Sequence, residues 1–152
     1  MPIIEVRRVL AAPIDKVIAV AKAVEDYPQF MPDVRSVKVL ESQDDGRLQK
    51  VEWVGVIRQF AREIRWVQED HWVSPTRVDF HQLQGDYDKM EGYWEFTDSD
   101  GSTEFTNVLD YEYRVPLLGA LVTKVVEFLV RQNLESIMDG IEKRATEIAA
   151  SE

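Results

Sequence analysis

The sequence predicts an α+β fold in which one long C-terminal helix lies across a curved antiparallel sheet. Two observations carry that reading. From Leu117 to Ile148, Val122, Val126, Val130, Leu134, Ile137, Ile141, Ala145 and Ile148 recur at steps of three and four, which makes one apolar stripe on a helix. The other side of that helix carries Lys124, Glu127, Arg131, Glu135, Asp139, Glu142 and Lys143. From Val34 to Val115 the chain instead alternates with period two between short turns, with no second long helix. A helix roughly 45 Å long cannot bury such a stripe alone, so it needs a broad apolar surface, which a strand meander supplies.

Each element has a local reason. Ile3 to Leu10 reads as a first strand, apolar on both faces. Ala12-Pro13 opens a short helix with Ile14, Val17, Ile18, Ala21 and Val24 on one side; Pro28 and Pro32 end it near Asp26, since proline disfavours helical geometry in the residue before it. Val34 to Glu41 and Gln49 to Ile57 flank the turn signal Asp44-Asp45-Gly46. The fourth strand, from about Phe60 to Asp70, turns Phe60, Arg62, Ile64 and Trp66 inward, and Trp72 falls near the following turn at Ser74-Pro75. Val78, Phe80 and Gln82 alternate in the fifth strand, which leads into the loop Gly85 to Asp88. Met90, Gly92, Trp94 and Phe96 alternate in the sixth, and Phe105, Asn107, Leu109, Tyr111 and Tyr113 in the seventh. Pro116 precedes the long helix, where a missing N–H costs nothing.

Composition narrows the function. The 152 residues suit one domain with a real core, spanning 1–152. There is no cysteine, hence no disulfide, thiol nucleophile or cysteine metal site. A net charge of −10 repels phosphate backbones, so no nucleic-acid partner is expected. No apolar run is long enough to span a membrane, which leaves open peripheral contact with one, and the start of the chain lacks the pattern of a signal peptide; the expected location is the cytoplasm. His71 and His81 have no metal-ligand spacing, no phosphate loop or hydrolase motif occurs, and no metal or cofactor is expected. The sequence leaves the oligomeric state open.

The inward sheet face is crowded with Trp53, Trp66, Phe80, Trp94, Phe96, Phe105, Tyr111 and Tyr113, each hiding about 150–250 Å² when buried. Among them stand Arg62, Gln82, Asn107 and the tyrosine hydroxyls, which must find partners or cost about 1–3 kcal/mol each. A packed core with satisfied polar groups would explain this face. So would a cavity with apolar walls and a few convergent polar groups, as small-molecule sites have. Its lining would be Tyr27, Phe30, Met31, Trp53, Arg62, Trp66, Phe80, Gln82, Met90, Trp94, Asn107 and Tyr111, with Val122 and Val126 from the helix. Tyr27, Phe30, Met31 and the Gly85–Asp88 loop would border its mouth.

Three stretches resemble a known family: Val24-Glu25-Asp26-Tyr27-Pro28-Gln29-Phe30-Met31-Pro32, the run from Gly85 to Phe96, and Tyr111 to Gly119 entering the long helix. They look like the START-like superfamily of polyketide cyclases/dehydrases and lipid-transport proteins, most of all its coenzyme Q-binding, aromatase/cyclase-like branch. The resemblance implies a helix-grip fold and a cavity for an apolar or polycyclic ligand. Its leading implication is a carrier of a quinone, lipid or polyketide-like aromatic. A second is an aromatase/cyclase in which Arg62 polarises a carbonyl and Tyr111 or Tyr113 donates a proton, matched by residue type and face rather than by a motif. A third, from toxin-like relatives, is a module acting on a large partner such as the ribosome, which the acidic charge disfavours.

Overall fold

The computed structural model describes residues 3–57, 61–113 and 119–151, with the backbone alone over 119–123. Seven strands, β1 (Ile3–Leu10), β2 (Val34–Gln43), β3 (Leu48–Ile57), β4 (Arg62–Ser74), β5 (Arg77–Gly85), β6 (Lys89–Ser99) and β7 (Ser102–Glu112), form one sheet. Its order is β1-β7-β6-β5-β4-β3-β2. Every neighbouring pair is antiparallel. Between β1 and β2 lie helix α1 (Ile14–Lys22) and a 3₁₀ helix, Val24–Gln29; helix α2 (Gly119–Ala150) follows the sheet. Phe60, Leu117 and the side chain of Val122 lie outside the described residues.

The sequence places the first helix end near Asp26, but α1 stops at Lys22. The chain then tightens into a 3₁₀ turn that contains Pro28. Tyr27 is wholly buried there, and its hydroxyl donates to the carbonyl of Ala21. That bond ties the turn back onto α1.

Helix α2 is fastened to the sheet at its far end. Arg8 of β1 pairs with Asp139, and the Ala11 N–H donates to the Glu142 carboxylate at 2.8 Å. Its buried stripe runs Val126, Val130, Leu134, Met138, Ile141, Ala145. Met138 thus takes the central place expected of Ile137, which is half-buried. The two positions lie about 100° apart around the helix, and Ile137 is turned to the flank where the packing opens. Gly140 explains the tightness beside it: a Cβ there would lie 3.0 Å from the Phe30 carbonyl oxygen and 3.0 Å from the Met31 side chain. A side chain here would make the 3₁₀ exit give way by a few tenths of an ångström, so glycine allows the closest approach of the helix.

Strand β4 continues past its expected end, and its alternation continues with it. Gln68, Asp70 and Trp72 all face inward and are buried. Trp72, which the sequence suggests is near a turn, stacks on Phe96 with centroids 6.5 Å apart. His71 and His81 are exposed. Among the described residues no helix is long and apolar enough to cross a membrane.

Candidate functional site

The space between the sheet and α2 is divided by aromatic residues. Tyr27 lies 5.5 Å from Trp53 and is stacked on Trp94 at 6.4 Å, ring centroid to centroid. With Phe80 and Gln68 these residues separate an inner chamber under α2 from an outer one that opens beneath the β2–β3 turn.

The inner chamber has a volume of about 80 Å³. The sheet supplies Val34, Trp53, Gly55, Trp66, Gln68, Phe80, Met90, Trp94, Asn107 and Leu109; α2 supplies Val130, Asn133, Leu134, Ser136 and Ile137; Met31, Asp33 and Tyr87 complete it. Trp53 and Trp66 are cross-strand partners stacked at 5.5 Å and 9°. Asn107 is fully buried on β7, and neither its amide nitrogen nor its carbonyl oxygen has a hydrogen-bond partner among the described residues. The indole nitrogen of Trp53 is in the same condition. So is the Tyr111 hydroxyl, which lies on the face of β7 turned to Tyr87.

The outer chamber is larger, about 200 Å³. A hydrogen-bonded chain along β4 connects the two: the Trp66 indole donates to Gln68 Oε1 at 2.7 Å, and Gln68 Nε2 donates to Asp70 Oδ1 at 2.6 Å. Burial pushes the Asp70 carboxyl up to about 7, against the opposing pull of the Gln68 bond. Burial likewise raises Tyr87, with the neighbouring Tyr111 and Tyr113 adding to it, and raises Tyr111 to about 12, helped by Glu127. The phenols are therefore neutral donors at ordinary pH.

The expected lining residues divide accordingly. Met31, Trp53, Trp66, Phe80, Met90, Trp94 and Asn107 come together in the inner chamber. Tyr27 lines the outer chamber, as part of the dividing wall rather than a mouth. Phe30 packs over Gly140, and Val126 sits in the buried stripe. Gln82 stands behind the loop, its amide donating to the Tyr87 carbonyl at 2.9 Å. Arg62 has the inward register but stands at the start of β4, exposed, with its guanidinium 6.0 Å from the Tyr113 ring. Sequence reasoning missed Asn133 and Ser136, whose signal is two small polar residues three apart beside the apolar stripe. It also missed Gln68 and Asp70, which prolonging the β4 alternation would have found.

A curved seven-stranded antiparallel sheet gripping a long C-terminal helix, with an aromatic chamber between them, is the helix-grip architecture of START-like proteins. The chain belongs to the polyketide cyclase / dehydrase and lipid transport family, which matches residues 10–138. TTHA0849 from Thermus thermophilus is 31% identical, with 99% of this chain and 100% of that one covered and a TM-score of 0.88. A START superfamily protein from Mycobacterium smegmatis is 20% identical (96% and 98% covered, TM-score 0.83). The Zhui aromatase/cyclase from a Streptomyces species is 19% identical (95% and 93% covered, TM-score 0.84). The last two likenesses establish the fold alone. No curated protein matches the sequence.

Proposed function

We propose that this protein binds a small, largely hydrophobic molecule, such as a quinone, lipid or polyketide-like aromatic, in the inner chamber and carries it without chemical change. The observation behind this reading is Asn107. A buried amide with no partner costs about 1–3 kcal/mol per unsatisfied group, and it lines a mostly apolar chamber together with Trp53, whose indole nitrogen also has no partner among the described residues. A ligand carbonyl would accept from the Asn107 amide or the Trp53 indole, and a ligand hydroxyl would donate to Asn107 Oδ1, while the ligand's rings pack on Trp66, Phe80 and Trp94. At about 80 Å³ the chamber is smaller than the usual 300–1,000 Å³ of ligand pockets, so entry displaces its half-buried walls, above all Tyr87 on the 85–88 loop. The same tightness favours the alternative of an interaction module, and one screen separates the two. Quinones, fatty acids and polycyclic phenols are titrated against tryptophan fluorescence and melting temperature. A binder should quench or shift the emission and add about 2.7 kcal/mol of stability at a hundredfold excess over its Kd. Asn107→Leu should weaken polar-headed ligands by tenfold or more while raising the stability of the free protein. If no compound changes either signal, the carrier reading fails and a macromolecular partner becomes the better one.

The contact of Arg62 with Tyr113 is the observation that favours a cyclase, and Arg62→Met decides between the two. The exposed position of Arg62 argues that its charge is screened and that binding survives with less than a threefold loss. A cyclase would lose turnover by orders of magnitude with a smaller change in binding, because a fixed cation acts on charge developed in the transition state.

A further inference from the structure

The outer chamber has walls and a polar group that the carrier reading does not use. Trp72, Trp53, Trp94, Phe80 and Tyr27 present aromatic surface, and the carboxyl of Asp70 stands among them with 8% of its residue surface exposed. Only Oδ1 of Asp70 is engaged, by Gln68; the second oxygen has no hydrogen bond or ion pair among the described residues. Two cations, Lys22 and Arg47, line the same chamber, and neither pairs with Asp70. A buried carboxyl without a cation, in a space of about 200 Å³, has the form of a site rather than of a core contact. The wall also demonstrates its preference: the ammonium of Lys22 lies over the Trp72 ring, 4.8 Å from its centroid.

We propose that the outer chamber is a second binding site, distinct from the one under α2, for a small organic cation of the aryl-alkyl ammonium class, whose nitrogen pairs with Asp70 and whose ring lies among Trp53, Trp72 and Trp94. The size agrees, since a cavity of about 150 Å³ accommodates benzene, and about 200 Å³ admits one ring with a short ammonium arm. The charges agree as well. The groups facing Asp70 are Lys22 from α1, Tyr27 from the 3₁₀ turn, and Asp45 and Arg47 from the β2–β3 turn. Lys22, Asp45 and Arg47 are exposed and screened by solvent, whereas the Asp70 carboxylate acts at low dielectric and dominates. A cation binds the ionised carboxyl, which predominates only above about 7, so affinity rises with pH.

The test titrates 2-phenylethylammonium into the intact protein, followed by tryptophan fluorescence and by the NMR signals of the Trp72 indole and the Gln68 and Asn107 side-chain amides. The neutral 2-phenylethanol and the anionic 3-phenylpropionate serve as matched probes. The expected result is saturable binding that shifts Trp72 and Gln68 but not Asn107, at least tenfold tighter than either matched probe. It should also be about tenfold or more tighter at pH 8 than at pH 5.5. Asp70→Asn keeps an acceptor for Gln68 and should abolish both the preference and the pH dependence. Lys22→Met, which frees the face of Trp72, should tighten binding severalfold. Equal affinity for the alcohol, stronger binding of the carboxylate, shifts confined to Asn107, or a pH-independent affinity in the wild type would each overturn the proposal. The last measurement does not depend on any variant folding.

Discussion

Asp70→Asn should stabilise the protein near neutral pH by roughly 2–4 kcal/mol, and the gain should disappear on acidification. The sign follows from linkage. The folded carboxyl titrates at about 7 and the unfolded one at its ordinary value of 3.8, so between those values the folded chain holds a proton that the unfolded chain has released. Stability contributed by this group is therefore complete below about 4, falls as pH rises, and is lost above about 7. One tenfold change in protonation is worth about 1.4 kcal/mol, which sets the upper end of the range. Asparagine stays neutral throughout and keeps an oxygen for the Gln68 amide. Urea unfolding of wild type and variant at pH 4, 5.5, 7 and 8 measures the difference, and subtraction cancels the other carboxylates. A difference that is flat with pH would mean that Asp70 is solvated in the folded state.

The second large effect concerns the phase of the long helix. Ile141 has no exposed surface and lies in the stripe pressed against the fold, while Ile137 borders the inner chamber. Ile141→Asp should cost several kcal/mol, enough to unfold much of the population, because a carboxylate there has no water and no partner. Ile137→Asp should cost clearly less, since the chamber can admit water to the new charge. Thermal or urea denaturation of both variants gives the comparison. A larger loss at 137 than at 141 would place the buried centre of the helix about 40° round from the arrangement described, toward Ile137.

How much of this was legible in the chain depends on how far each pattern repeats. β1 carries its boundaries in sequence, and the alternation through Met90–Phe96 and Phe105–Tyr111 assigns the inward face correctly. The helix stripe was visible too, but spacing alone does not distinguish Ile137 from Met138; the partner surface does. The end of β4 was lost because Gln68 and Asp70 are polar, so an inward strand looked like an outward one just where the site begins. Arg62 failed in the opposite direction: its parity is right, but parity says nothing about depth, and the first residue of a strand reaches solvent. The division of the interior into two chambers has no sequence signal, because it comes from Tyr27, held by a bond to Ala21, meeting Trp53 and Trp94 from distant strands.

That dividing wall makes the two chambers parts of one thermodynamic system. Trp53, Gln68, Phe80 and Trp94 border both. An occupant that tilts one of these rings does work on the space behind it, and any coupling free energy so created is reciprocal: the factor by which an inner ligand alters affinity outside equals the factor by which an outer ligand alters affinity inside. A cation at Asp70 would then act as an allosteric effector on the loading and release of the hydrophobic cargo.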